Sequence, residues 1–229
     1  MTGPPQRADA VRRRLILVVV GIVGVLVALF LKLADSVRES DVVARLDSNA
    51  MTWVVQHRVG WLTQIARCFT FLGSAWVVTV LVVTSAAFLV VRHRRSDALL
   101  VVASAAGTAL LVEVMKHGID RPRPPVSGRL VTVTGAAFPS GHAAQSVACY
   151  AALAVVAAMA TRSTRGRILL GVAAGVTAVA IGTSRVYLGV HWPTDVVSGW
   201  LLAGGWLLVL VGVRQLFGPA REHADDSDI

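Results

Sequence analysis

Three short stretches hold the residues whose types and spacing could do chemistry. In Ser-Arg-Val-Tyr-Leu-Gly-Val-His-Trp-Pro-Thr-Asp (184–195), Arg185, His191 and Asp195 lie between two apolar runs, where charge is costly unless it is partnered or used. His191 and Asp195 are four positions apart, so one helical turn brings their side chains together. A carboxylate that accepts from one imidazole nitrogen sets the tautomer and leaves the other nitrogen free to attack. In Pro139-Ser140-Gly141-His142, a hydroxyl and a glycine open an apolar run. Free N–H groups and the positive dipole end of a helix would face an anion there, and Gly141 lets it approach the backbone. His142 is placed to protonate a leaving oxygen. Lys116 and Arg123 add a point charge and a planar fork, both suited to phosphate oxygens. Two imidazoles and a carboxylate would also suit zinc. Lys116, Arg123 and Arg185 would repel it, so neither a metal nor a cofactor is expected.

The spacing Lys116-x6-Arg123-Pro124, then Pro139-Ser140-Gly141-His142, then Ser184-Arg185-x5-His191-x3-Asp195 resembles the type 2 phosphatidic acid phosphatase superfamily, the lipid phosphate phosphatases. It is also similar in motif to vanadium haloperoxidases and glucose-6-phosphatase. Every defining position matches, in order, from the third apolar run to the sixth. The resemblance implies a metal-independent phosphatase working through a phosphohistidine. In it His191 is the nucleophile, Asp195 its orienter and His142 the acid. Lys116, Arg123, Ser140, Gly141 and Arg185 hold the phosphoryl oxygens.

Other polar residues read more plainly. Ser184 is expected to make a local hydrogen bond. Arg121 either helps the phosphate or faces water. Glu113, inside an apolar run, is expected to bond Lys116 and position it. Trp192 either lines a lipid opening or anchors the interface, with the anchor preferred. His117 reads as a solvated loop residue, and His57 and His93 carry no signal. Cys68 and Cys149 fit neither a disulfide framework nor a metal site.

The elements that must position these groups are apolar. The 229-residue chain is 55% hydrophobic and 15% charged, with mean hydropathy +0.67; soluble domains carry about 25% charged residues. Six apolar runs read as membrane spans: 15–33, 69–91, 98–115, 139–160, 168–182 and 193–217. The expected fold is therefore an all-α, polytopic membrane protein with six transmembrane helices. Residues 34–67, with Trp53 and Trp61, add an interfacial amphipathic helix. Residues 15–217 form one six-span domain, and 1–14 and 218–229 are expected to be disordered cytoplasmic tails.

The net charge of +9 would suggest nucleic acid in a soluble chain. Here Arg clusters between apolar runs, which is how topology is set, and no nucleic-acid partner is expected. The N-terminus, the basic loops at 92–95 and 162–167 and the C-terminus alternate onto one side, which the positive-inside rule makes cytoplasmic. The three motif segments then share the extracytoplasmic face of the cell membrane. The expected activity is removal of phosphate from a lipid (di)phosphate such as phosphatidic acid, phosphatidylglycerol phosphate or polyprenyl diphosphate. Rival readings are a phosphotransferase with a non-water acceptor and a non-enzymatic lipid binder. The motifs do not choose among these lipids and carry no signal for oligomeric state.

Overall fold

The computed structural model describes residues 4–217, which are helical apart from the connections, the longest of them residues 120–140. α1 (Pro4–Glu39), α2 (Asp41–Gln56), α3 (Gly60–Leu72), α4 (Ala75–Val91) and α5 (Arg95–Ile119) come first. A proline-rich loop with one 3-10 turn (Val126–Gly128) leads to α6 (Gly141–Ser146), a π-helical turn (Val147–Ala151) and α7 (Ala152–Ala160), which together make one span. α8 (Thr164–Tyr187) and α9 (Pro193–Phe217) complete the bundle.

Five helices are long and apolar enough to cross a membrane, and the bent pair α3 and α4 makes up to six. The protein is thus an all-α, multi-pass membrane protein. The second span differs from the expected 69–91. It starts at Gly60 and bends by 45° between α3 and α4. Ser74 causes the break by capping α4, its Oγ accepting from the Val77 N–H at 3.4 Å. Gly73 makes it possible, because a Cβ there would lie 2.4 Å from Cγ2 of Ile181. α1 begins at Pro4, ahead of the boundary read at 15. Pro4 and Pro5 suit a first helical turn, and no glycine or further proline follows until Gly21. The expected tail 218–229 lies outside the described residues.

α9 is central, packing on α1, α5 and α6, while α8 packs on α3, α6 and α7. Small side chains permit this closeness: Ala143, Ala144, Ala148, Cys149, Ala152 and Ala203 are all fully buried. Larger residues fill the space between α4, α5 and the π-helical turn, with Val78, Val82, Leu89, Leu100 and Val101 in one cluster with Cys149 and Val156. The π-helical turn is held from outside, Ser104 Oγ donating to the Ala148 carbonyl at 2.8 Å.

α2 turns its apolar Val42, Leu46 and Trp53 outward while Asp47 and Met51 are buried. The exposed apolar side chains suit a helix lying in a membrane interface with lipid on its outer side. The α2–α3 connection is tied to the end of α8: Arg58 Nε donates to the Tyr187 carbonyl at 3.0 Å, and the Val59 N–H donates to Tyr187 Oη at 3.0 Å.

Candidate active site

The motif segments meet at one end of the bundle because each sits at a helix end. Lys116 lies in the last turn of α5, which Asp120 terminates in the left-handed conformation. Ser140 caps the start of α6 and His142 follows in its first turn. Arg185 lies in the last turn of α8, and Asp195 in the first turn of α9. The α8–α9 turn needs Gly189, whose φ is +77° and whose Cβ would stand 2.2 Å from the Gly128 carbonyl oxygen. Only glycine combines that backbone angle with so little room. The Leu130 N–H donates to the Leu188 carbonyl at 2.9 Å and the Ser140 N–H to the Asp195 carbonyl at 2.9 Å, so the loop, α6 and α9 lock together.

His191 is 2% exposed and Asp195 is fully buried. Arg123 Nη1 stands 3.1 Å from His191 Nε2. A guanidinium can only donate, so Nε2 is the acceptor and the ring proton belongs on Nδ1. Nδ1 faces Asp195 Oδ2 at 3.5 Å, beyond ordinary hydrogen-bond length, and has no other partner among the described residues. Asp195 Oδ2 accepts from the Trp192 N–H at 2.8 Å. Burial pushes the His191 imidazole down to about 4, with Asp195 pulling the other way, so the ring is neutral near pH 7.

Two of the three cations, Arg123 and Arg185, are held by neutral groups. Arg123 donates to the carbonyls of Gly135 (2.9 Å), Val190 (2.8 Å), Thr134 (3.2 Å) and Ala136 (3.1 Å). Burial lowers its pKa, partly offset by Asp195. Arg185 donates from Nη1 to Thr70 Oγ1 in α3, and its buried Nε has no partner among the described residues. Lys116 makes no hydrogen bond or ion pair among them, yet lies within electrostatic reach of Arg123 and Arg185. His142 is within such reach of His191, Arg185, Lys116 and Arg123. The fully buried Ser140 accepts from the Ala143 N–H at 3.5 Å, leaving its own hydroxyl proton to donate. A Cβ on Gly141 would meet only Val112, at 3.7 Å, so packing does not require glycine there. A neutral nucleophilic nitrogen beside uncompensated cations can attack phosphorus and stabilise the charge that develops.

Residues outside the motifs complete the picture. Arg121 neither faces water nor joins the free cations. Its Nη1 donates to Asp195 Oδ1 at 2.6 Å and to Thr194 Oγ1 at 2.7 Å, and its Nη2 to Asp47 Oδ2 at 2.7 Å. Glu113 makes no bond to Lys116. Its carboxylate points out of the bundle, 3.5 Å from Nδ1 of the exposed His117, because His117 lies one turn on along the same face. Trp192 Nε1 donates to the Pro122 carbonyl at 2.9 Å and its ring underlies Arg121 at 5.6 Å. Ser184 Oγ donates to the Ile181 carbonyl at 2.6 Å, the local bond expected of it. Asp47 and Thr70 carried no sequence signal.

An apolar groove of about 460 Å³ runs between α4, α5 and α6. Val78, Val82, Val102, Ala106 and Ala109 form its walls, and it ends at Gly141 and His142, with Glu113 at its edge.

A sequence model described as the PAP2 superfamily matches residues 97–218. Phosphatidylglycerophosphatase B of Bacillus subtilis is 33% identical over 175 residues, which cover 76% of this chain and 85% of that protein. Undecaprenyl-diphosphatase of Sulfolobus acidocaldarius is 32% identical over 143 residues, 60% of this chain and 65% of that protein. Among solved structures, the transmembrane PAP2-type phosphatidylglycerolphosphate phosphatase of Bacillus subtilis superposes with a TM-score of 0.77 at 29% identity. That match covers 87% of this chain and 98% of the other.

Proposed function

This chain belongs to the PAP2 superfamily and is a phosphoric ester hydrolase of the membrane, and we propose that it removes phosphate from a lipid phosphate or diphosphate through a phosphohistidine on His191. One observation carries the lipid reading: the apolar groove between α4 and α5 ends at His142 and Gly141. A headgroup can reach the cations while its tail stays in hydrocarbon. The related phosphatidylglycerophosphatase and undecaprenyl-diphosphatase are consistent with a lipid substrate, a monophosphate in one case and a diphosphate in the other.

The chemistry follows from the charge pattern. Lys116, Arg123 and Arg185 bind the phosphoryl oxygens, with the Ser140 hydroxyl and the N–H of Gly141. The phosphate displaces the Arg123 contact from Nε2, which then attacks phosphorus as the bond to the lipid oxygen breaks. His142 gives its proton to that oxygen. Asp195 holds the Nδ1 proton and stabilises the charged ring. Water next attacks the phosphohistidine, His142 takes up its proton, and inorganic phosphate leaves. The cations supply the positive charge that phosphoryl transfer needs, so the step is metal-independent.

The site lies at the extracytoplasmic face and the termini are cytoplasmic. Two features support this: the basic loops at 92–95 and 162–167 cluster at the other end, and Arg94 there donates to the Val156 carbonyl at the end of α7.

The test is phosphate release in detergent from phosphatidic acid, phosphatidylglycerol phosphate and polyprenyl mono- and diphosphate, against water-soluble glycerol phosphate, with and without chelator. Lipid substrates should be strongly preferred and chelator should have no effect. Equal turnover of glycerol phosphate would refute the lipid reading, and loss on chelation would refute the metal-free step.

A further inference from the structure

One buried carboxylate near the site has no part in the chemistry above. Asp47, on the inward side of α2, is 2% exposed, although it lies on a helix whose other face is apolar and exposed. Its Oδ2 accepts from Arg121 Nη2 at 2.7 Å, and its Oδ1 accepts from the Thr194 N–H at 3.2 Å, next to Asp195. The Thr194 hydroxyl donates to Oδ2 as well. Arg121 in turn binds Asp195 Oδ1 at 2.6 Å. The result is a carboxylate–guanidinium–carboxylate bridge from α2, through the loop after α5, to the first turn of α9.

The charge on this bridge matters to His191. Asp195 is useful only while it presents negative charge to Nδ1. A buried guanidinium on its other oxygen, taken alone, would neutralise it. Asp47 restores the balance: with two carboxylates sharing one Arg121, the bridge keeps one net negative charge. Replacing Asp47 leaves that guanidinium charge on Asp195 alone, in surroundings of low dielectric where such changes are strongly felt. The other charged or titratable groups around His191 are Arg123, Arg185, Lys116 and His142, which are cations or an imidazole. No other carboxylate among the described residues contacts Arg121 or Asp195.

We propose that Asp47 is a positioning residue for the reaction at His191: through Arg121 it fixes the Asp195 carboxylate and preserves its negative charge. This makes α2 part of the catalytic apparatus, holding the site from the membrane interface. The inference rests on His191 being the nucleophile.

The experiment compares Asp47→Asn, Asp47→Glu, Arg121→Lys and His191→Ala, in the full-length chain in detergent, with inorganic phosphate as a competitive inhibitor. Replacing the partners of ligand-orienting groups commonly costs about 10–100-fold at metal sites, and a loss of that order in kcat is expected for Asp47→Asn. KM and the phosphate inhibition constant should stay within about two- to threefold of the parent, because the cations that bind phosphate are untouched. Asp47→Glu should recover part of kcat. Arg121→Lys keeps the charge but breaks the fork, and should reproduce the loss with phosphate binding retained. It serves as the test if Asp47→Asn fails to fold. Parental kcat in Asp47→Asn, or in Arg121→Lys if only that variant folds, would overturn the inference. So would kcat and phosphate binding declining together. Turnover surviving in His191→Ala would instead refute the mechanism on which the inference rests, a separate failure from an unaffected Asp47→Asn.

Discussion

Both ends of the bundle hold arginines against its helices, and the two ends use them differently. At the end away from the site, Asp97 in the first turn of α5 is 4% exposed. Arg94 Nε reaches its Oδ2 at 2.5 Å, and Arg214 of α9 pairs with its Oδ1. Arg94 also donates to the Val156 carbonyl at the end of α7. A carboxylate there joins α5, α7 and α9, and neutralises much of the charge it meets. At the site end, Arg123 is held by four carbonyls, Arg185 by the hydroxyl of Thr70, and Lys116 by no hydrogen bond or ion pair among the described residues. Neutral partners orient the two arginines without cancelling their charge. The one guanidinium there that is cancelled, Arg121, is the one paired with carboxylates. An arginine held by carbonyls is prepared for an anion, whereas an arginine held by carboxylates is bracing.

Substitution at each end should separate these roles. Arg185→Gln should lower kcat/KM by about 10²–10³-fold, the usual cost of removing a donor that stabilises developing charge, with a small effect on the thermal midpoint. Asp97→Asn should do the reverse. Breaking a fully buried pair costs about 3–5 kcal/mol; both guanidinium partners are part-exposed here, so the cost is smaller, and the midpoint should fall while kcat per folded molecule stays near parental. Equal effects of the two variants on activity would erase the distinction.

A smaller effect concerns pH. Burial holds the folded His191 at about 4, against about 6.5 for a free imidazole. Between those values the unfolded chain takes up a proton that the folded site refuses. The contribution of His191 to stability is therefore full above about pH 6.5 and is lost as pH falls toward 4. In detergent, the thermal midpoint of the parent should drop more steeply over this window than that of His191→Gln. Parallel profiles would mean that the ring is not held neutral by the fold.

Much of the bundle and the motif residues were legible because their signals are local. The apolar runs near 98–115, 139–160, 168–182 and 193–217 each correspond to a span, and the motif residues lie at helix ends, where the chain leaves apolar surroundings. The second span is longer than its apolar run because α3 carries Thr63, Gln64 and Arg67 within its length, which break the hydropathy signal, while its packing on α8 keeps it in the bundle. Asp47 was invisible for another reason. It is 74 positions from Arg121, and its helix reads as an ordinary amphipathic surface helix. Only tertiary contact turns Asp47 inward while its polar neighbours Arg45, Ser48 and Asn49 stay exposed. Thr70 was missed for the same cause, its partner Arg185 being 115 positions away. Glu113 shows the converse error: a helical spacing of three suggested contact with Lys116, but the carboxylate instead lies beside His117, four positions on.

Turnover through a phosphohistidine requires that His191 become covalently phosphorylated. Its most direct test is to mix the protein with a lipid phosphate labelled in the phosphoryl group, quench within the first turnovers, and map protein-bound label. A phosphoramidate, labile to acid and stable to base, is expected on His191 in the parent and none in His191→Ala, whose turnover should fall by about a thousandfold or more. Label on another residue, or near-parental turnover in His191→Ala, would contradict it.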